Sequence, residues 1–301
     1  MTRSLGQDRT AEPQAPEPGG LANGIGAVSL AALALMGTIL GGCKAAQPLD
    51  LPAAVAPVSP LEPAVPPAPL PVRPTKPPKD KPLIRTMPAG WSTQGQSLTA
   101  HLFGGDTGCT LVIGGIHGDE PTGANLARRL VQFLRENPSA WRGRSVAVLI
   151  AANPDGLNLA QRTNPNGVDL NRNFPARNWQ RTSRGKYYGG PAPASEKETR
   201  AVIRLAEQLK PARIISLHSI SRGRCCNNYD GPARELARQM SGYNGYPPKE
   251  TIGYPTPGSL GSWAGIDRQI PVVTLELPEE LGGEECWRQN RDALLAACRA
   301  D

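Results

Sequence analysis

Apolar runs and helical periods alternate through the C-terminal two-thirds of the chain. Residues 110–115 (TLVIGG) form a short apolar run closed by two glycines, the pattern of a buried strand. Residues 122–136 follow, with Leu126, Leu130, Phe133 and Leu134 at helical spacing. SVAVLIA at 145–151 predicts a second buried strand, RIISL at 213–217 a third and IPVVTLEL at 270–277 a fourth. Residues 195–209 take a helical period, and Ser195 with Glu198 three positions on spells a capping box. Residues 231–240 and 284–299 also read as helices. Strands separated by helices predict an α/β fold, a single domain whose central mixed, largely parallel sheet is flanked by helices. Sites in such folds gather at the carboxyl ends of the strands. Residues 153–193 hold few apolar periods and much Asn, Arg, Gly and Pro, and a loop of that length in a compact domain is usually functional.

Ahead of residue 84 the pattern changes. Of the 32 prolines, fourteen fall between Pro48 and Pro88. Proline removes backbone donors and fixes φ, so residues 43–83 read as an extended tether rather than a folded unit. Residues 24–40 carry no charge and suit the apolar core of a signal peptide. That run ends in Leu40-Gly41-Gly42-Cys43, which resembles the bacterial lipobox, whose cysteine thiol receives a diacylglyceryl group. The expected organisation is a lipoprotein signal peptide at 1–42, a tether at 43–83 beginning with lipidated Cys43, and a catalytic domain at 84–301. Lys44 after the cysteine points, by resemblance to Gram-negative lipoproteins, to the periplasmic face of the outer membrane. An uncleaved membrane anchor is the competing reading. The net charge of +7 suits an anionic polymer or lipid, but no nucleic-acid motif accompanies it, and an ordinary solvated surface explains it equally well.

There are three histidines, and two of them sit where predicted strands end. His117 lies in Gly115-Ile116-His117-Gly118-Asp119-Glu120, and His218 in Ser216-Leu217-His218-Ser219. Glu120, three residues after His117 at a helix opening, can converge with it on one ion. With His218 this makes a His2Glu set, a known catalytic zinc arrangement that leaves a position open. A histidine at a strand end is also commonly just hydrogen-bonded. Glu276 stands inside the apolar run Thr274-Leu275-Glu276-Leu277. A buried strand carboxylate costs several kcal/mol unless it is paired or working, so Glu276 reads either as a general base or as a residue facing out from an edge strand. Arg172, flanked by Asn171 and Asn173, is suited to grip a carboxylate, or else decorates a surface loop.

HGDE, NPDG, NGVDLNRNF, SEKET, LHS and TLELP occur in that order. Together they resemble the zinc carboxypeptidase family, and in particular its short bacterial members that cleave murein peptides. The resemblance runs over residues 110–277. It implies one zinc ion held by His117, Glu120 and His218, with Glu276 as general base and proton shuttle. It implies that Asn171 and Arg172 hold the substrate's terminal carboxylate, that Arg162 polarises the scissile carbonyl, and that Tyr254 caps the bound substrate. The position that sets side-chain preference in the digestive relatives falls near Gly261 and Ser262. Neither is apolar or charged, which permits a polar C-terminal residue such as diaminopimelate. The implied partner is a peptidoglycan-derived peptide, cut between γ-D-glutamate and meso-diaminopimelate. The alternatives are a zinc deacylase of small N-acyl amino acids, a general peptide carboxypeptidase, and a binder of wall peptides that lacks catalysis.

Besides Cys43 there are Cys109, Cys225, Cys226, Cys286 and Cys298, an odd count. An exported domain can hold disulfides, but pairing is not readable from sequence. Cys225 and Cys226 either line the site, join a bridge, or fill structural positions.

Overall fold

The computed structural model describes residues 83–299 except 106, 107 and 222. The signal segment 1–42, Cys43 and the tether up to residue 82 lie outside the described residues. An eight-stranded sheet runs through the domain. In chain order its strands are β1 (Ile84–Trp91), β2 (Ser97–Phe103), β3 (Thr110–Ile113), β4 (Val146–Leu149), β5 (Arg213–Ile220), β6 (Cys226–Asp230), β7 (Pro248–Lys249) and β8 (Val272–Pro278). The helices are α1 (Pro121–Glu136), α2 (Pro154–Leu159), α3 (Lys197–Leu209), α4 (Arg234–Asn244) and α5 (Gly283–Arg299). The spatial order is β1-β2-β4-β3-β5-β8-β6-β7. β4, β3, β5 and β8 form a parallel centre, while β1, β2 and β6 join it antiparallel. The four strands predicted from apolar runs are this centre.

Those runs are continuous because both faces of the sheet are covered. Leu111, Ile113, Ala147, Leu149, Ile214 and Val272 pack on one face with Ala201, Val202 and Leu205 of α3. Val112, Val148, Ile215, Leu217, Val273 and Leu275 pack on the other with Leu126 and Leu130 of α1 and Leu294 of α5. Each fully buried Leu or Ile contributes roughly 1.5–3 kcal/mol.

One departure from this pattern locates the site. On the α3 face the even-numbered residues turn polar toward the carboxyl ends: Ile214, Ser216, His218 on β5, and Val272, Thr274, Glu276 on β8. Ile215 and Leu217 on β5 and Val273, Leu275 and Leu277 on β8, facing α1 and α5, stay apolar. The register sets His218 beside Glu276. Glu276 is therefore on an interior strand, only 7% exposed, and does not face out from an edge.

The capping box at Ser195 does not form. Helix α3 begins after Glu196 with no side-chain cap; Ser195 Oγ donates to Glu196 Oε1 at 2.6 Å, and Glu198 Oε1 accepts from the Thr93 N–H at 2.6 Å. Both carboxylates are drawn into tertiary contacts. The stretch 153–193 is a loop apart from α2 and a 3-10 turn at Leu170–Arg172.

Candidate active site

His117 follows β3 through Gly114-Gly115-Ile116, and Glu120 is the residue from which α1 starts. His218 ends the buried stretch of β5. These three groups, far apart in the chain, meet. His117 Nδ1 lies 2.8 Å from Glu120 Oε1, His218 Nδ1 2.9 Å from Glu120 Oε2, and the two Nδ1 atoms are 3.1 Å apart. All three donors fall within 4.8 Å of one another. Both histidines are 3% exposed. Two imidazole nitrogens 3.1 Å apart, both facing one carboxylate, are placed to ligate a single divalent cation together with it. The donor set therefore fits zinc, with two nitrogens and one oxygen.

The electrostatics follow from this crowding. Burial would discharge His117, but the Glu120 and Asp169 carboxylates outweigh it and push its pKa up to about 9. Burial wins at His218, which is lowered. Burial would raise Glu120, yet the two histidines hold it well below the usual carboxylate range. At Glu276 the pull of His117, Arg162 and Arg224 is outweighed. Burial, then the Glu120 charge, push it up to about 8.

A second layer fixes the first. Asp169, fully buried, accepts from His117 Nε2 at 3.1 Å, from Arg162 Nε at 3.0 Å and from the Asn171 N–H at 2.9 Å. An acceptor on Nε2 fixes the tautomer that leaves Nδ1 free to ligate. Asp169 lies inside the NGVDLNRNF motif, but the sequence reading gave it no role. The signal that could have found it is its place two residues before Asn171.

Arg162 is anchored on the other side by Glu120, with Nη1 to Oε1 at 3.1 Å. Asn171 Oδ1 accepts from the Leu260 N–H at 2.9 Å. Arg172 is 7% exposed, so it is no surface residue; its Nη1 donates to the Asn171 carbonyl at 2.8 Å. Among the described residues no carboxylate pairs with Arg172. Tyr187, also without a role in the sequence reading, sets its ring 5.4 Å from both the Arg162 and Arg172 guanidiniums. Tyr254 is 41% exposed and borders the same cavity.

That cavity, about 230 Å³, brings together His117, Glu120, His218, Glu276, Arg162, Asn171, Arg172 and Tyr254. Every candidate site residue of the folded domain is thus in one place. Lys186 and Arg224 line it too. Among the described residues, Cys109, Cys225, Cys226, Cys286 and Cys298 do not join the metal donors. All five are free thiols; Cys226 pairs across from Glu276 on β6, where burial and then that carboxylate push its thiol up to about 11.

Comparisons with known proteins agree with this geometry. The sequence profile described as "Zinc carboxypeptidase" matches residues 79–250. Murein peptide amidase A of Escherichia coli K12 is 34% identical over 180 residues, 56% of this chain and 70% of that protein. Its namesake in Vibrio campbellii is 32% identical over 201 residues, covering 64% and 77%. The crystal structure of murein-tripeptide amidase from E. coli O157 superposes with a TM-score of 0.59 at 28% identity, over 72% of this chain and 92% of that one. Bovine thrombin-activatable fibrinolysis inhibitor shares the fold at 18% identity, with a TM-score of 0.61 over 71% of this chain and 88% of that one. A buried His2Glu donor set at the carboxyl end of a mixed sheet and a profile spanning more than half the sequence converge: this chain belongs to the zinc carboxypeptidase family, and is a zinc-dependent hydrolase of peptide or amide bonds.

Proposed function

We propose that the enzyme cleaves murein peptides at the amide joining γ-D-glutamate to meso-diaminopimelate, releasing the residue that bears a free carboxylate. The observation that carries this reading is Arg172, a buried guanidinium without a carboxylate partner among the described residues, in the same cavity as the metal donors and Glu276. Such a group binds best a substrate that brings its own carboxylate. Arg162 is paired with Asp169 and Glu120, while Lys186 and Arg224 border the same cavity together with Asp119, Glu276 and Glu279. The names of the E. coli and V. campbellii relatives support the same substrate.

His117, Glu120 and His218 would hold the zinc, which when bound supplies Lewis acidity toward water and carbonyl oxygen. Glu276 takes the proton from the attacking water and returns it to the departing amine. Arg162, held by Asp169 and Glu120, donates to the oxygen on which charge develops. Arg172 and Asn171 grip the terminal carboxylate and make the reaction end-directed. Tyr254 closes the cavity over the substrate.

The reading extends to where the enzyme works. The apolar segment before Cys43 and the proline-rich stretch after it support a lipid-anchored, exported enzyme on a tether, at the periplasmic face of the outer membrane in a Gram-negative cell.

Turnover of L-Ala-γ-D-Glu-meso-diaminopimelate, measured beside ordinary C-terminal peptides and N-acyl amino acids, tests the substrate. Release of diaminopimelate, abolished by a chelator and restored by zinc, is expected. Efficient cleavage of the N-acyl amino acids instead, with the tripeptide untouched, would refute it.

A further inference from the structure

We propose that the groove between the end of β1 and helix α3 is a second binding site, which takes a carboxylate-bearing glycan strand of the cell wall: Trp91 stacks on a sugar ring while Lys197 and Arg200 meet the acid groups. The inference goes beyond the amidase reading above and rests on it only for the choice of a wall polymer.

The groove, about 380 Å³, runs between Gly90 and Trp91 on one side and Lys197, Arg200 and Arg204 of α3 on the other. Trp91 reaches it through an irregularity in the strand. β1 pairs with β2 as far as Pro88, opposite Thr99, and resumes at Gly90, opposite Leu98, so Ala89 is an extra residue. Such a bulge re-aims the side chains that follow. Met87 and Ala89 turn toward the core, yet Trp91, next in that alternation, pairs with Ser97 and is 62% exposed. Gly90 lets the strand close on α3, since a Cβ there would stand 3.1 Å from the Ala201 Cβ.

The cations break a local rule. Lys197 is the first residue of α3 and Arg200 the fourth, where the helix dipole already disfavours positive charge. With Arg204 they fall at i, i+3 and i+7, one stripe about 10 Å long on the helix surface. Arg200 Nη1 donates to the Ala194 and Ser195 carbonyls at 2.8 and 2.5 Å, and Arg204 Nη1 to the Ala89 carbonyl at 3.2 Å. These neutral partners fix the guanidiniums without cancelling their charge, and no carboxylate among the described residues lines the groove. The stripe therefore calls for an anion, and Trp91 specifies its kind. A sugar lays its C–H face on an aromatic ring while its acid groups reach the neighbouring cations. A bilayer would engage several apolar side chains, and Trp91 is the one large apolar side chain among the described residues of the groove. The place suits a wall polymer. Helix α3 leads into parallel strand β5, so its first turn lies at the sheet end that holds the catalytic cavity. Asn173, the neighbour of Arg172, donates to Ser195 Oγ at 3.0 Å, beside the carbonyl that Arg200 holds.

The probe is peptide-free glycan strands from purified wall, in which each muramyl residue carries a free lactyl carboxylate and nothing remains for the cavity to cleave. Their binding to the full-length, zinc-loaded enzyme in detergent is measured by fluorescence anisotropy, beside a neutral chitin oligosaccharide and C-terminally amidated polyglutamate. The glycan should bind at least tenfold tighter than either and weaken as salt rises. Trp91→Ala should weaken glycan binding at least tenfold and polyglutamate binding less than twofold. Lys197→Glu should weaken both at least fivefold while raising Tm, because an acid at the first helical position agrees with the dipole. Both variants should keep kcat/KM on the free tripeptide within twofold of native. Glycan affinity unchanged in either variant, or polyglutamate bound as tightly as glycan, would overturn the proposal. An enzyme that binds the glycan through Trp91 but leaves the tripeptide uncut would instead sink the amidase reading and leave this site standing.

Discussion

Glu276 is a carboxylate that the sheet holds between two demands. Its strand is interior and its neighbours are apolar, so burial favours the neutral acid, while the donor set beside it calls for a base. In the proposed mechanism only its proton traffic matters. Glu276→Gln should keep zinc at one equivalent and cut kcat about 10²–10⁴-fold, the usual weight of a general base. His117→Ala should lose zinc and turnover together. Metal analysis beside steady-state rates checks both, and a fully active E276Q would remove Glu276 from the mechanism. Asp230 gives a second prediction, on stability. Its carboxyl is raised from the ordinary 3.8 to about 6, so between those values the folded state binds more protons than the unfolded chain. Its contribution to stability therefore falls as pH rises through that window, and the penalty is complete above it. Asp230→Asn lacks the penalty. It should melt higher than the native protein at pH 7.5 and at the same temperature near pH 3.5, by calorimetry at the two values. The four central residues were legible in the sequence because position restricts them: His117 and His218 end apolar runs, Glu120 opens a helix three residues after His117, and Glu276 interrupts an apolar run. Asp169 and Tyr187 were not, because what they do depends on a loop folding back over the strand ends.

That loop is the element on which substrate binding rests. It supplies Arg162, Asn171, Arg172 and Tyr187, yet between α2 and α3 it has almost no regular backbone pairing. Buried side chains pin it instead. Asn164, 1% exposed, donates from Nδ2 to Glu196 Oε2 at 2.7 Å, and its Oδ1 accepts from the N–H groups of Asn166 and Val168 at 3.1 Å each. Asn164→Ala strips a donor from a buried carboxylate and an acceptor from two backbone amides, a loss of about 2 kcal/mol. For a domain of this size that lowers Tm by about 4–8 °C. Since the loop carries the carboxylate-binding pair, KM for the tripeptide should rise more than kcat falls, with zinc content unchanged. A variant with native KM would show that the loop is held elsewhere. The failed capping box has the same origin: Ser195 and Glu198 read locally as a helix start, but the turn after β1 takes a Glu198 oxygen and the loop takes one of the neighbouring Glu196. Local pattern also passed over β1 and β2. β2 alternates Leu98, Ala100 and Leu102 inward with Ser97, Thr99 and His101 outward. β1 lies at the sheet edge with Pro88 beside a register shift, so no continuous apolar run announces it.

At the scale of the whole molecule the chemistry occupies the carboxyl ends of the parallel strands at the centre of a mixed sheet, and residues 1–82 lie outside the described residues. The proposed reason for their presence is address. A single acyl chain gives only reversible membrane binding, whereas two chains anchor stably, and a diacylglyceryl thioether at Cys43 would supply two. Anchor and active site are then separable. Cys43→Ser should move the enzyme from the detergent-rich to the aqueous phase on phase partition and abolish incorporation of labelled fatty acid. Its kcat/KM on the free tripeptide should match that of the native enzyme within about twofold, since the named site residues all lie within residues 117–276. Turnover of peptides still attached to intact wall should fall in cells, because a freed enzyme loses the concentration that tethering to the adjoining membrane gives it. Retention of the serine variant in the detergent phase would mean that the apolar segment itself holds the membrane, and would replace the lipid with an uncleaved anchor.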